Sequence, residues 1–480
     1  MSRPVALLAR WGVAAVLAVV FLVLMSSVTS FLHPVYGGDS AIFRVIGTAL
    51  RHGQEMYVDI WDHKGPTLFL LQWLGQVIHE GRAGLFVLQT LFLTATLGML
   101  IALSRRFTSW LGTAGVLALT LAVLSYTFEG GNLSEEFSLP FITFVLYGAV
   151  RALDEERPLS GWREVLLFAV MGAAFAFAFF MRANNAIPIA GIFAGFLIQS
   201  IVRRTPVIKR IAIAVLGFAA VSGGVLLWFA WRGTLDEMLN ATFWFNLRYI
   251  EDASIRPKVV AYLGTIAFAA VLTAAGVIGQ LLRFGARRSV WLVAVGLGLA
   301  SVYAVLSPTT SYAHYLTLIV PMIAFAAMLV LSAVRGRVRL LIGAVLVIAS
   351  IGVTIAQVPN VLRYSAGVHA NEAAFEKQLD DVLSVVPDDR RAEIFPWSLP
   401  ATYYLMTDTL PTYRYFITQP WWGSVDPQVP ADTVAHLADT KQPWVLVPAT
   451  GTAYEGLDQL LADRYTMVRE NDRFQLYALR

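Results

Sequence analysis

The chain of 480 residues contains no cysteine and has few charged side chains. Without cysteine it forms no disulfide, no thiolate metal site and no cysteine nucleophile. Asp, Glu, Lys and Arg make up 14% of the residues, whereas about 25% is usual in a soluble protein. The net charge is only +4, and no basic run is long enough to follow a nucleic-acid backbone. These shortages argue against a soluble enzyme, a disordered protein and a nucleic-acid binder.

Apolar side chains, at 57% of the residues, are what the sequence has in excess. They form runs of the length that a helix needs to cross a bilayer. The sequence therefore predicts a polytopic α-helical membrane protein with eleven transmembrane helices. The predicted segments are 11–31, 84–104, 109–127, 137–151, 164–181, 186–202, 211–231, 259–282, 290–306, 313–333 and 338–357.

The distribution of basic residues predicts the orientation of these segments. With a cytoplasmic N-terminus, the inner loops hold seventeen Lys and Arg residues and the outer loops hold nine, as the positive-inside rule requires. Two long loops, 32–83 and 232–258, then lie outside. The apolar stretch 66–79 is short and contains Gln72 and Gln76, so it predicts a juxtamembrane or re-entrant helix. Counting it as a twelfth span would move every later loop to the opposite side of the membrane, against the positive-inside rule.

A change in composition predicts two domains. Residues 1–359 carry 26 basic and 16 acidic side chains, whereas residues 360–480 carry 10 and 16. The second region alternates short extended stretches with helical ones, which is typical of a small α/β domain. We expect a multi-pass protein of the plasma membrane, with this C-terminal domain on the extracytoplasmic side.

The first outer loop holds the densest polar cluster. Asp39 follows two glycines and precedes Ile42, Phe43, Ile46 and Leu50, whose spacing predicts an amphipathic helix on the membrane. The simpler interpretation of Asp39 is a helix N-cap. Its neighbours in the loop favour a functional one, because ionisable groups beside a bilayer usually have partners or a role. They are Asp59, Asp62, His63 and Lys64.

The other polar residues of the outer loops and span ends also have simple structural interpretations. Asp59 and Asp62 taken alone are solvated or capping carboxylates. Lys64 either extends to lipid headgroups or forms a dedicated phosphate site, and Arg182, at the outer end of a span, has the same two options. Glu135 and Glu136 suit a helix start.

These features resemble those of the GT-C membrane glycosyltransferases. The nearest branch comprises the dolichyl-phosphate-mannose protein mannosyltransferases and the bacterial lipid A aminoarabinose transferases. The matching motifs are Asp39, His63-Lys64-Gly65-Pro66, Glu135-Glu136 and the HYLTLIVP segment from His314 to Pro321. The resemblance implies a GT-C fold and an inverting hexosyl- or pentosyltransferase. The sugar would pass from a polyprenyl-phosphate-linked donor to an acceptor hydroxyl on the outer face.

The resemblance also implies roles for individual residues. Asp39 corresponds to the catalytic base, and Lys64 to the phosphate-binding lysine of the aminoarabinose transferases. A single acid at Asp39 replaces the Asp-Glu pair of the protein mannosyltransferases, which weakens the case for protein mannosylation. Lys64 and Arg182 would neutralise the leaving phosphate, while Asp39 takes the acceptor proton.

The remaining candidates are predicted to bind either the acceptor or a metal ion. They are Glu135, Glu136, His314 and Tyr315. A lone histidine such as His314 is more often structural. A divalent cation, Mg or Mn, held by Asp39 with Glu135 or Glu136 is an alternative use of the carboxylates.

The expected partners are a polyprenyl-phosphate sugar, membrane lipids and a glycan, lipid or protein acceptor, without nucleic acid. The main alternative is a transporter or flippase of lipid-linked sugars. Transporters place ionisable groups near the middle of the membrane. Here the charges gather at the outer ends of the spans, which favours a transferase.

Overall fold

The computed structural model describes residues 3–156, 158–251, 262–308, 311–417 and 419–480. The α-helices in this part are α1 (Arg3–Met25), α2 (Asp39–Arg51), α3 (Pro66–Ile78), α4 (Arg82–Ser104), α5 (Trp110–Thr127), α6 (Ser134–Ala152), α7 (Gly161–Met181), α8 (Ile187–Arg203), α9 (Ile208–Arg232), α10 (Leu235–Leu239), α11 (Phe245–Glu251), α12 (Leu263–Arg288), α13 (Trp291–Leu306), α14 (Val320–Ala333), α15 (Gly336–Leu383), α16 (Thr402–Thr407), α17 (Pro420–Val425), α18 (Gln428–Asp439) and α19 (Glu455–Arg464). The strands are β1 (Ile394–Pro396), β2 (Trp444–Pro448), β3 (Tyr465–Glu470) and β4 (Phe474–Leu479). Shorter helical turns cover Ala183–Ala186, Asn240–Trp244, Ala313–Ile319 and Asp388–Glu393.

Each of the eleven predicted spans overlaps a helix, although α1 ends at Met25 and not at the predicted residue 31. A polytopic α-helical membrane protein is confirmed. In the described residues, nine helices are long and apolar enough to cross a bilayer on length and composition. The two that fall short are α6, with Glu135 and Glu136 in its first turn and Pro140 inside it, and α13, with 16 residues. The count of eleven crossings stays a prediction. The predicted loop 232–258 and the span that follows it both extend into 252–261, outside the described residues.

One compact unit contains α1, α5–α8, α12–α14, most of α4 and α9, and the first part of α15. Small residues allow its helices to pack closely. A Cβ atom on Gly191 or Gly195 of α8 would lie 2.3 Å from a backbone oxygen of α13. These glycines are four positions apart on one helix face, which is the spacing that brings membrane helices together. The short α13 is thereby held along α8.

The second unit begins with α2 and α3, which pack against each other at Gly47, where a Cβ atom would lie 2.7 Å from the backbone of Gln72. The predicted helices in both places are confirmed. In α2, Ile42, Phe43 and Ile46 are buried, and Leu50 is half-buried. Their placement against a membrane stays a prediction.

The C-terminal part of this second unit forms a four-stranded sheet in the order β1-β2-β4-β3. β1 and β2 are parallel, and β4 runs antiparallel to β2 and β3. Phe395, Val445, Leu437 and Leu457 form its core. The predicted C-terminal α/β region is confirmed, although β3 was not expected, because only its first residue is buried. Helix α15 continues to Leu383, well beyond the predicted end of the last span at residue 357.

Candidate functional site

The loop between α2 and α3 is fixed by side chains of its own unit. Tyr57 is fully buried and has a left-handed backbone, with φ of 68°. Its hydroxyl donates to the carbonyl of Lys64 at 2.8 Å, and the Asn246 amide donates to the carbonyl of His63 at 2.7 Å. The carbonyls of His63 and Lys64, just before α3, are therefore both hydrogen-bonded. These bonds set the position from which the Lys64 side chain starts.

Aromatic rings hold the same loop from the C-terminal region of the unit. The Trp61 ring lies 4.9 Å from Trp422 and 5.4 Å from Tyr415, centroid to centroid. The His63 ring lies 5.4 Å from Trp421, edge to face. The residues on either side of Asp62 are thus packed, which leaves the Asp62 side chain little freedom to move.

The Lys64 ammonium lies between two carboxylates. Its Nζ atom is 3.6 Å from Asp62 Oδ1 and 3.9 Å from Asp39 Oδ2. The Lys64 side chain is 10% exposed, that of Asp62 1% and that of Asp39 43%. A lysine that extends to lipid headgroups keeps its ammonium in water. The geometry of Lys64 therefore favours a built ionic site over that alternative.

Asp62 is the buried member of this cluster. Burial raises the pKa of its carboxyl group, and the charge and backbone N–H of Lys64 act against that rise. Its Oδ1 atom accepts a hydrogen bond from that N–H at 3.0 Å. The local capping contact was expected, but a solvated Asp62 was wrong, because the packed loop excludes water from it.

Asp39 is the first residue of α2, and Gly38 is the N-cap, without a side-chain capping bond. The N-cap interpretation of Asp39 is therefore wrong. A carboxylate in the first turn still interacts favourably with the helix dipole. Asp59 behaves as the simple interpretation expected, since it accepts a hydrogen bond from the exposed backbone N–H of Glu55 at 2.7 Å.

The other unit brings Glu135, Arg182 and Tyr315 together. Arg182 is the C-cap that follows α7, and its Nη1 atom donates to Glu135 Oε1 at 2.6 Å. Its Nη2 atom donates to the Tyr315 hydroxyl at 3.0 Å, and the guanidinium lies 4.6 Å from the centre of the Tyr315 ring. The Glu135 side chain is only 2% exposed. Arg182 is thus the charge that balances a buried acid.

His314 and Glu136 have different partners within that unit. His314 Nδ1 lies 2.5 Å from Glu129 Oε2, and the Ala313 N–H donates to Glu129 Oε1 at 2.9 Å. Burial opposes ionisation of Glu129, but these contacts outweigh it and lower the pKa of Glu129. Glu136 accepts a hydrogen bond from the Gln89 amide at 2.7 Å. Glu135 and Glu136, both in the first turn of α6, therefore belong to separate contacts.

The donor set for a metal ion is weak. Among the residues that the structure describes, no three His, Asp or Glu side chains are grouped so as to hold one. The Asp39 carboxylate neighbours an ammonium and that of Glu135 a guanidinium. These carboxylates are therefore paired with side-chain cations, which is a poor fit for a divalent metal ion.

Comparison with solved structures identifies the fold. ArnT from Cupriavidus metallidurans bound to undecaprenyl phosphate is similar with a TM-score of 0.63 and 15% identity, over 98% of each chain. The apo state of ArnT from the same organism gives a TM-score of 0.63 and 16% identity, over 99% of this chain and 98% of that one. The oligosaccharyltransferase of Archaeoglobus fulgidus, in complex with Zn and sulfate, gives 0.51 and 12%, over 92% of this chain and 68% of that one.

The chain has the GT-C fold. The fold expected from the sequence motifs is thereby confirmed. No protein-family model and no curated protein matches the sequence. The likeness is therefore one of structure at low sequence identity, and it establishes the fold.

Three residues of these clusters were not found from the sequence. Tyr57 and Asn246 support the Lys64 loop through its carbonyl groups, and no motif marks such contacts. Glu129, the partner of His314, did carry a signal. It precedes Gly130-Gly131, in the short stretch between two predicted spans that also holds Glu135 and Glu136.

Proposed function

We propose that the chain is a membrane glycosyltransferase of cell-envelope glycan biosynthesis. It moves a sugar, with inversion, from a polyprenyl-phosphate-linked donor to an acceptor hydroxyl on the outer face of the membrane. The fold it shares with ArnT, which was solved with undecaprenyl phosphate bound, supports the class of donor. The observation that carries the proposal is the Lys64 ammonium, held at 10% exposure beside the accessible Asp39 carboxylate.

Lys64 is proposed to bind the donor phosphate. Negative charge develops on this phosphate as the bond to the sugar breaks, and a positioned cation stabilises that charge. An ammonium screened from water interacts more strongly with phosphate than an exposed one does. The bonds from Tyr57 and Asn246 support this role, because they fix the loop that carries Lys64.

Asp39 is proposed to be the general base. The acceptor hydroxyl must lose a proton as it attacks the sugar, and a carboxylate within hydrogen-bond reach accepts it. At 43% exposure the Asp39 side chain is the most accessible of the three charged groups. A phosphate leaves without being protonated, so the reaction needs no second carboxyl group as an acid.

The present distance between Asp39 and Lys64 implies a rearrangement when the donor binds. In an inverting reaction the base and the leaving group act on opposite faces of the sugar, and inverting glycosidases separate their carboxyl groups by about 6.5–9.5 Å. The 3.9 Å contact between Asp39 and Lys64 is much shorter. We infer that the donor phosphate replaces Asp39 as a partner of Lys64, while Asp62 keeps its contact. Asp39 is then available to the acceptor.

Arg182 is retained in the proposal as a second phosphate-binding cation. A guanidinium has five N–H donors, and the contacts with Glu135 and Tyr315 leave further donors for a phosphate. Glu135, Glu136, His314 and Tyr315 are retained as acceptor-binding groups. Each of these side chains has a polar or ionic contact in its own unit.

The test is donor cleavage by the purified chain in lipid nanodiscs. Polyprenyl-phosphate sugars are supplied with a membrane extract as the source of acceptor, and released polyprenyl phosphate is measured by mass spectrometry. Asp39→Asn should lower the rate by roughly 10² to 10⁴. Because the donor phosphate no longer competes with the Asp39 carboxylate for Lys64, binding of a donor analogue should be unchanged or tighter.

Asp59→Asn is the matched control, since it removes a charge from the same predicted outer loop, 32–83, and should leave the rate near normal. Normal turnover by Asp39→Asn would remove Asp39 as the base. Transfer of an intact lipid-linked sugar to the opposite leaflet, with no polyprenyl phosphate released, would instead favour the transporter or flippase.

A further inference from the structure

The C-terminal sheet region contains a cavity of about 230 Å³ that the proposed reaction does not use. It lies between the residues that follow β1, those that follow β2, and the first residues of α17 and α18. β1 and β2 are the parallel pair of the sheet. In open α/β sheets, ligands bind beyond the carboxyl ends of parallel strands. The position of the cavity is therefore that of a binding site.

The walls of this cavity are bonded to one another. The indole N–H of Trp397, after β1, donates to the carbonyl of Thr452, after β2, at 2.8 Å. The Thr452 hydroxyl in turn donates to Asp458 at 2.6 Å and accepts a bond from the Tyr454 N–H at 3.2 Å. The Trp397 and Tyr454 rings stack with centroids 6.0 Å apart. A ligand would thus meet a cavity that is already formed, which lowers the entropic cost of binding.

Two residues of the cavity wall have a strained backbone. Ser398 has φ of 54° and Ala453 has φ of 55°. Residues other than glycine rarely adopt this left-handed conformation, and it tends to occur at ligand sites, where the surroundings impose it. The two strained positions lie on the two loops that follow the parallel strands.

The lining indicates the chemistry of the ligand. None of the described residues that line the cavity is charged. Ser398 offers a hydroxyl group, and Gln419 offers its NH₂ group, because its Oε1 atom already accepts a bond from the Trp421 indole. Tyr454 and Pro430 provide apolar surface. A neutral molecule with hydroxyl groups and an apolar C–H face fits this lining.

We propose that this cavity binds one neutral sugar ring of a glycan acceptor. Sites for drug-sized ligands usually measure about 300–1,000 Å³, and this smaller cavity suits a single hexose or pentose. The role of the sugar as acceptor rests on the proposed glycosyltransferase function. The binding itself does not, because it depends only on residues of the sheet region.

The experiment is saturation-transfer NMR on the full chain in detergent micelles. The probes are the methyl glycosides of glucose, mannose, galactose and arabinose, with methyl glucuronide and glucosamine as charged comparisons. We expect saturation transfer from the protein to at least one neutral glycoside and to none of the charged ones. Ser398→Gly should weaken that binding by about 2- to 10-fold, the value of one hydrogen bond.

Ala453→Gly is the matched variant, because it relieves the same kind of backbone strain without removing a polar group, and it should bind as the unchanged chain does. Gly423→Leu should abolish binding by filling the cavity. A Cβ atom there would meet Pro430 Cγ at 3.3 Å, a contact that a small shift accommodates. A melting temperature no lower than that of the unchanged chain shows that each variant is folded.

Three results would overturn the inference: no neutral glycoside is saturated, a charged probe binds as well, or Gly423→Leu binds normally. Release of polyprenyl phosphate is measured on the same samples. Loss of sugar binding with release intact rejects only the sugar site. Normal turnover by Asp39→Asn with sugar binding intact rejects only the proposed base.

Discussion

Lys64 and Asp62 depend on each other, and a double substitution separates their structural contribution from the proposed function of Lys64. Lys64→Met leaves the Asp62 carboxylate, 1% exposed, without its cation. Breaking a buried ion pair on one side typically costs about 3–5 kcal/mol. We expect Lys64→Met to lower the stability by this order, measured by denaturation in detergent.

Adding Asp62→Asn should restore most of that stability, because the amide oxygen still accepts the backbone N–H at position 64 while the buried charge is gone. Binding of a polyprenyl-phosphate analogue should remain weak in the stable double variant. If the double variant bound the analogue normally, Lys64 would be a structural partner of Asp62 and the phosphate site would lie elsewhere.

The contact between His314 and Glu129 predicts a dependence of stability on pH. The pKa of Glu129 is lowered in the folded chain, so its contribution is present above its ordinary value, near 4.5, and is lost as the pH falls through the lowered pKa. His314→Phe keeps a ring beside Tyr312 but removes the hydrogen bond. The melting temperatures of the two chains should differ by a steady amount above about pH 4.5 and converge as the pH falls below that value. A difference that stays constant as the pH falls well below 4.5 would exclude Glu129 as the cause.

At the residue scale, sequence reasoning singled out groups that stand in recognisable motifs. Asp39 and Lys64 occur in one predicted outer loop, and the structure places their charged atoms 3.9 Å apart. Their roles stay a prediction. The burial of Asp62 was not predictable, because it depends on the unusual backbone of Tyr57 and on rings from distant parts of the chain. Burial of a polar residue is a tertiary property, and a local pattern does not encode it.

At the scale of elements, the turn between α5 and α6 is the most constrained connection. Four successive residues have positive φ, namely Glu129, Gly130, Gly131 and Asn132. A Cβ atom on Gly131 would lie 2.5 Å from the Phe128 ring and 2.7 Å from the Gln89 amide. We expect Gly131→Ala to destabilise the chain by more than about 1 kcal/mol, since it adds a clash to an unfavourable conformation.

Gly352→Ala is the control for that substitution. Gly352 lies within α15, with ordinary helical geometry, and a Cβ atom added there would have no neighbouring atom within 4 Å. Alanine there should be neutral or stabilising by about 0.5–1 kcal/mol. Equal melting temperatures for Gly131→Ala and the unchanged chain would show that the turn adapts to a side chain at this position.

The long apolar helices were predictable because their signal is redundant over about 20 residues. Elements with weaker signals were placed less well. Strand β3 buries only its first residue, so it shows no alternation of apolar and polar side chains. The extension of α15 to Leu383 is polar, and hydropathy alone ends the helix where the apolar residues end.

At the scale of the whole molecule, α6 and α13 decide the topology. Helix α13 has 16 residues, which span about 24 Å at 1.5 Å per residue, less than the roughly 30 Å of hydrocarbon in a bilayer. Helix α6 has 19 residues but begins with two acids. If either fails to cross, the orientation of every later segment reverses. The predicted outer position of Arg182 depends on the crossing by α6, and the predicted export of the C-terminal region depends on both crossings. Asp39 and Lys64 precede both helices, so their side of the membrane is unaffected.

We predict that both cross, because the basic clusters around Arg204 and Arg335 are then cytoplasmic, as the positive-inside rule favours. Close packing of α13 on Gly191 and Gly195 of α8 helps to hold so short a span. Alkaline phosphatase fusions, active only outside the cytoplasm, give the measurement. Fusions after Arg106, Arg204 and Arg335 should be inactive, and a fusion at the C-terminal end should be active. Activity after Arg204 would show that α6 does not cross. Activity after Arg335 with an inactive C-terminal fusion, but none after Arg204, would show the same for α13 and place the C-terminal sheet in the cytoplasm.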